Sequence, residues 1–69
     1  MKIISEKFGC TIIEDNNQYF IQYDNGQSAS FIVQNRILKA EVAKAKISSK
    51  DAYEVIIEAE KRSKPVRVH

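Results

Sequence analysis

The alternation of apolar and polar residues predicts a sheet in the first half of the chain. Three segments rich in β-branched and aromatic side chains are residues 10–15, 18–24 and 27–34. Asn16-Asn17 and Asn25-Gly26 separate them, and both pairs tolerate the positive φ angles of a tight hairpin turn. The pattern predicts a three-stranded antiparallel meander, which Lys2–Ser5 extends at its N-terminal end.

Two-residue turns at both breaks would fix the register of the strands. Asp15 would then pair with Gln18, and Asp24 would pair with Gln27. One face of the sheet would carry Cys10, Ile12, Tyr19, Ile21, Tyr23 and Ile32. The other face would carry Ile13, Phe20, Ala29, Phe31 and Val33. Because both faces are largely apolar, each of them needs a cover.

The second half of the chain predicts two helices. Ser48 and Asp51 have the spacing of a capping box, so a helix should begin near Ser49 and continue to about Arg62. Its apolar residues fill an arc of roughly 200°, and Glu58 is spaced to pair with Arg62. Residues 39–46 are rich in helix formers and predict a shorter helix. The predicted fold is therefore α+β, with one domain over residues 1–64, both helices on one sheet face, and a tail over residues 65–69.

Two short helices can shield one face of such a sheet but hardly both. We expect the uncovered face to bind a second copy of the chain or another protein, since tyrosine is enriched in the cores of interfaces. The predicted interface residues are Ile12, Tyr19, Ile21, Tyr23 and Ile32. In the alternative, residues 1–8 or the C-terminal tail fold across that face and the protein is a monomer.

Composition supports oligomerisation over other sources of stability. A domain of 69 residues buries only about 60% of the surface that its unfolded chain exposes. With Cys10 as the only cysteine and His69 as the only histidine, neither a disulfide nor a metal site is expected to compensate. The charged N-terminal stretch lacks the apolar core of a signal peptide or membrane span, so we expect a cytoplasmic protein with no membrane partner.

The sequence offers no catalytic signature. Cys10 has no histidine within reach except the last residue, and a buried strand cysteine is the simpler interpretation. Glu14 and Asp15 are neighbours on a strand and so point to opposite faces. Gly9 and Gly26 are too far apart for a phosphate-binding loop. We therefore expect no enzymatic activity, no cofactor and no small-molecule substrate.

Nucleic-acid binding is the alternative function. Basic residues crowd the first helix and the C-terminal end, and the candidate contacts are Lys39, Lys44, Lys46, Lys50, Lys61, Arg62, Lys64 and Arg67. The order strand, helix, capped turn, helix over residues 29–62 resembles a ribbon-helix-helix repressor, and this resemblance implies that a ribbon of Ser28, Ser30, Ile32 and Gln34 faces the DNA bases. Two features count against it. Ile32 would face the bases, and the Asn25-Gly26 turn pairs the strand with its own chain.

The preferred interpretation is a small non-catalytic interaction protein that forms a homodimer or binds another protein. Ten isoleucines, eight lysines and four asparagines against one leucine are typical of an AT-rich coding genome. An accessory protein of a phage or a low-GC bacterium is the setting that this bias suggests.

Overall fold

Five strands form one antiparallel sheet whose spatial order follows the chain. The computed structural model describes residues 1–26 and 31–68. The strands are β1 (Lys2–Ser5), β2 (Cys10–Asp15), β3 (Gln18–Asp24), β4 (Ile32–Ile37) and β5 (Val66–Arg67). Helices α1 (Lys39–Ala45) and α2 (Ser49–Arg62) lie between β4 and β5 in the chain. The α+β class and the C-terminal helices are confirmed, and the sheet has two more strands than the predicted meander.

The β2–β3 hairpin forms as its turn residues predict. Asn16 and Asn17 have φ angles of 52° and 64°, the left-handed conformation that asparagine tolerates best after glycine. Asp15 pairs with Gln18. The predicted two-residue turn and its register are therefore confirmed.

The β3–β4 register differs from the prediction. Asp24 pairs with Ile32 instead of Gln27, so the connection is longer than two residues. Residues 27–30, which the predicted third strand and turn included, lie outside the described residues. The observed register places Val33 and Ile37 beside Tyr23 and Tyr19, where the predicted one would have placed serine beside Tyr23. Burial of those aliphatic side chains favours the observed pairing.

The first strand is a separate element and makes a hairpin with β2. Phe8 and Gly9 have φ angles of 60° and 73°, and the Cys10 amide donates to the Lys7 carbonyl at 3.1 Å. A bulge between Ile3 and Ser5 shifts the register of this pair. β1 therefore ends the sheet as a short, irregular edge strand.

The helices begin and end as their local signals predict. The Ser48 hydroxyl accepts from the Asp51 amide at 3.1 Å, which caps the N-terminus of α2. The spacing of Glu58 and Arg62 predicts an ion pair between them, but Arg62 does not bind Glu58. It binds Glu41 of α1 with both guanidinium nitrogens, at 2.6 and 3.1 Å, and Glu58 pairs with Lys61 instead. The two helices are thus joined by a charged hydrogen-bonded pair.

Both helices pack on one face of the sheet, and the core lies between the two layers. The most completely buried large side chains are Ile12, Ile21 and Val55. The side chains of this helix-covered face are, from the sheet, Cys10, Ile12, Ile21, Tyr23, Val33 and Ile37, and from the helices, Val42, Ala45, Ala52, Val55 and Ala59. The prediction of helices on one sheet face is confirmed, but the choice of face was wrong. The β3–β4 register moved by an odd number of residues, which exchanges the two faces of β4 relative to β3.

The C-terminal residues join the sheet. Val66 pairs with Gln34 and Arg67 pairs with Val33, so part of the predicted tail forms a short edge strand beside β4. The Arg67 guanidinium lies 4.6 Å from the centre of the Phe31 ring, over its face. This contact holds the second edge of the sheet against the beginning of β4.

Candidate interaction surfaces

The structure separates the five predicted interface residues. Ile12, Tyr19, Ile21 and Tyr23 lie under the helices in the chain's own core, or packed against it. Ile32 lies on the other side of the sheet and is 44% exposed. An interface built from the first four would require the helices to leave the sheet, so the surface available to a partner is the opposite one.

We call that surface the open face, because no described helix or strand lies over it. Alternation along the strands and the cross-strand pairing assign its residues. Its apolar side chains are Ile3, Ile13, Phe20, Ile32 and Val66, and its polar side chains include Thr11, Gln22, Gln34 and Arg36. Ile3, Ile32 and Val66 are 54%, 44% and 62% exposed, an unusual loss of burial for large aliphatic groups in so small a domain.

Rows of side chains run across the open face at right angles to the strands. Ile3, Ile13 and Phe20 form one row through direct cross-strand pairing. Ile13 is only 4% exposed, although nothing from the helical layer covers it. The Gln22 amide donates to the Gln34 carbonyl oxygen at 2.9 Å in the neighbouring row. The surface is therefore an apolar row beside a hydrogen-bonded amide pair.

Most of the open face was not predicted from the sequence. Phe20 was assigned to the covered face, Gln34 was named only in the DNA-facing ribbon, and Gln22, Arg36 and Val66 were not proposed for any interface. The signal that could have found them is the alternation Val33, Asn35, Ile37, which continues the strand beyond the predicted end at residue 34. A strand that ends at Ile37 requires a longer β3–β4 connection.

The predicted nucleic-acid contacts do not form one basic surface. Lys44 binds Glu54 at 3.0 Å, Lys61 binds Glu58 at 3.6 Å, and Arg62 binds Glu41. Arg67 covers the Phe31 ring. The remaining candidates, which have no ion pair with any described residue, are Lys39, Lys46, Lys50 and Lys64. Of the predicted DNA-facing ribbon, Ile32 and Gln34 belong to β4, which pairs with β3 and β5 of its own chain, and Ser28 and Ser30 lie outside the described residues.

A groove of about 470 Å³ lies between α1 and the β1 side of the sheet. Its lining residues are Lys2, Ile3, Ile4, Glu14, Tyr19, Lys39, Val42, Ala43 and Lys46. α1 is only seven residues long, so the covered face of the sheet continues beyond the helix toward β1. Lys2, Lys39 and Lys46 therefore line the same groove. This grouping was not predicted from the sequence.

The buried polar groups hold the two layers together. Asn35, which is 4% exposed, donates from Nδ2 to the Ser63 carbonyl at 3.0 Å and accepts from the Ser63 hydroxyl at 2.8 Å. The Tyr23 hydroxyl donates to Glu60 at 2.6 Å. Burial and this hydrogen bond to a carboxylate raise the pKa of Tyr23. These groups are paired within the fold and so have a structural role.

Cys10, the one cysteine of the chain, lies in surroundings that lower the reactivity of its thiol. Cys10 is buried, and its thiol donates to the Lys7 carbonyl at 3.3 Å. Burial raises the pKa of this thiol, which favours the protonated, less nucleophilic form. Across residues 1–26 and 31–68, no group of three or more histidine, cysteine, aspartate or glutamate side chains could hold a metal ion.

The fold and these surfaces define a small α+β protein with a sheet covered by helices on one face. Comparison with protein-family models, curated proteins and solved structures finds no match to the chain. Among the described helices, none has the length and apolar character needed to cross a membrane.

Proposed function

We propose that the protein is a non-catalytic interaction module that forms a homodimer through the open face of its sheet. The observation that carries the proposal is the composition of that face, where large exposed aliphatic side chains surround an amide pair with unused hydrogen-bonding capacity. A small cytoplasmic accessory protein of a bacterium or phage is the setting that we favour, on the composition of the chain.

The amide pair favours a second copy of the same chain as the partner. Gln22 uses one of its N–H groups to bind Gln34, and no described residue binds the Gln22 oxygen or the Gln34 nitrogen. Each amide therefore keeps at least one donor and one acceptor site. A two-fold axis along this row brings Gln22 of one copy opposite Gln22 of the other, and Gln34 opposite Gln34, so each amide can donate to and accept from its counterpart.

The charges of the open face are also self-complementary. Arg36 and Asp24 lie on opposite sides of the amide row, on adjacent strands. A two-fold axis along that row turns one copy over, so that Arg36 of one copy comes beside Asp24 of the other. Opposite charges then meet twice in the dimer, which favours this orientation over others.

The size of the face predicts a weak dimer. Five strands spaced about 4.8 Å apart, with the longest about 20 Å in length, give a face of roughly 400 Å². A standard interface takes about 800 Å² from each partner. We therefore expect reversible association at micromolar concentrations or above, supported by burial of Ile3, Ile32 and Val66.

Replacement of Ile32 by aspartate tests the apolar contact. We expect Ile32→Asp to weaken dimerisation about tenfold or more, since the apolar contact is lost and a second carboxylate is added beside Asp24, its cross-strand partner. Sedimentation equilibrium over a concentration series measures the effect. Ile47→Asp is the control, because Ile47 is also exposed, at 70%, but lies between the helices. A wild-type protein that is monomeric at every concentration would refute the proposal.

A charge exchange tests the orientation of the dimer. Arg36→Asp and Asp24→Arg should each weaken association, because like charges would then meet across the interface. The double variant restores opposite charges and should recover most of the affinity. If the losses of dimer affinity in the two single variants simply add in the double variant, the two-fold arrangement is contradicted, even if a dimer forms.

A further inference from the structure

The groove between α1 and β1 combines three cations with an apolar floor. Lys39 and Lys46 are seven residues apart, which places them on one side of α1 about 10 Å from each other. Lys2 faces them from β1. The floor between these amines is formed by Ile4, Val42 and Tyr19, which are buried or partly buried.

The charges of the groove are not neutralised within the described part of the chain. Lys2, Lys39 and Lys46 have no ion pair with a described residue, whereas Lys44 on the same helix binds Glu54. Glu14, the single acidic residue of the lining, is the cross-strand partner of Lys2 and offsets part of its charge, whereas Lys39 and Lys46 lie on α1. The groove therefore has a net positive charge, and an anionic group could enter it without first displacing an internal partner.

The outer side of β1 adds a second recognition element. β1 pairs with β2 alone and lies at the edge of the sheet. Alternate residues of such an edge direct backbone N–H and C=O groups outward, where an extended segment can bind them. The edge and the basic groove both include Lys2, so a chain that adds to β1 passes along the groove.

We propose that this edge and groove bind an acidic, extended segment of another protein, which adds to the sheet as a sixth strand beside β1. Side chains at alternate positions of a strand lie about 7 Å apart on the same face. Acidic side chains four positions apart can therefore reach Lys39 and Lys46, and an apolar side chain midway between them, on the same face of the strand, lies on the Ile4 and Val42 floor.

This shape favours a peptide over a nucleic acid. The lysines surround a narrow apolar floor, whereas a phosphate backbone is usually bound by cations along an open basic surface. The other cations of the helical layer include Lys61 and Arg62, and both are occupied by acidic residues of the same chain. Most of the site lies on the helix side of the sheet, and Ile3 is the lining residue that it shares with the open face.

Fluorescence anisotropy tests the proposal with a short labelled peptide in which threonine occupies every second position and glutamate and valine take turns at the other positions. We expect saturable binding that weakens with salt, and no binding of the same peptide with lysine in place of glutamate. The double variant Lys39→Glu, Lys46→Glu should weaken binding about tenfold or more. Lys50→Glu is the control, because Lys50 is exposed outside the groove, and it should change the affinity by less than about twofold.

The backbone contribution needs a separate probe. Methylation of alternate amide nitrogens removes the donors that would pair with β1, so one of the two methylation patterns should abolish binding and the other should not. Slower exchange in the complex of the outward-facing amides, at alternate positions of Lys2–Ser5, would support strand addition. The proposal would be overturned if the Lys50 control lost as much affinity as the double variant, or if neither methylation pattern changed the binding. It would also be overturned if a single-stranded oligonucleotide of equal charge bound more strongly than the peptide. The Ile32→Asp variant should still bind the peptide as a monomer. This measurement separates the peptide-binding proposal from the dimer proposal.

Discussion

Glu41 joins both helices and the end of β4 through one carboxylate. Its two oxygens accept from Arg62 at 2.6 and 3.1 Å, and one of them also accepts from the Leu38 amide at 2.8 Å. Burial alone would raise the pKa of Glu41, but the hydrogen bonds from Arg62 and Leu38 outweigh it and lower the pKa. The ionised form is therefore the one that the fold stabilises.

This lowered pKa makes the free energy of unfolding depend on pH. The contribution of Glu41 is complete above the ordinary glutamate pKa of about 4.3 and is lost as the pH falls through the lower pKa of the folded state. We expect Glu41→Gln to reduce stability by about 1 kcal/mol at neutral pH, with a difference from wild type that shrinks as the pH falls below about 4.3 and through the lower pKa of the folded state.

Urea denaturation of both proteins across this pH range measures the difference. Glu58→Gln is the control, since Glu58 and its partner Lys61 are both largely exposed, and it should cost less than about 0.5 kcal/mol. A Glu41→Gln effect that stays constant from neutral to acidic pH would show that the carboxylate charge is not what stabilises the helix pair.

At the scale of the element, α2 depends on its N-cap. Ser48 accepts from the Asp51 amide and also donates to the Asp51 carboxylate at 2.9 Å. We expect Ser48→Ala to lower the free energy of unfolding by about 1 kcal/mol, because an amide of the first turn loses its partner. Ser49→Ala is the matched control at the next position, which is exposed and should change stability by less than about 0.5 kcal/mol. Denaturation followed by circular dichroism compares the two, and equal effects would contradict the cap.

The elements with local signals could be predicted from sequence. The capping pattern at Ser48 and the apolar arc after it lie within one segment, and α2 has the predicted bounds. The Asn16-Asn17 turn is equally local, and the register that it determines is the observed one. In both cases the residues that determine the structure are close neighbours in the chain.

The β3–β4 register and the surfaces could not be predicted in the same way. The register depends on Val33 and Ile37 entering a core that the helices complete, and on Asn35 meeting Ser63 at the end of α2. Those contacts join distant parts of the chain, whereas the Asn25-Gly26 turn signal is local and weaker than their sum. The wrong register then exchanged the covered and open faces, and the predicted interface moved with it.

At the scale of the whole molecule, size and exposed apolar surface link stability to association. A domain of 69 residues has little burial to spare, and Ile3, Ile32 and Val66 remain exposed in the single chain. A dimer that covers them is stabilised by mass action. We expect the melting temperature of the wild type to rise by several degrees between about 5 and about 500 µM protein.

Calorimetry at several concentrations checks this expectation. Ile32→Asp should melt at a temperature that does not depend on concentration, and Ile47→Asp should behave as the wild type does. A rise of equal size in all three proteins would point to association through some other surface.

The order of the strands has a consequence for how the chain folds. β1 to β4 pair only with their neighbours in the sequence, so these contacts require the closure of short loops and should form quickly. β5 is different, because it reaches β4 only after both helices have been placed, and it is two residues long. We therefore expect β5 to join the sheet last during folding. Its amide protons should be among the first to exchange with solvent in the native state, while those of β2 and β3 stay protected.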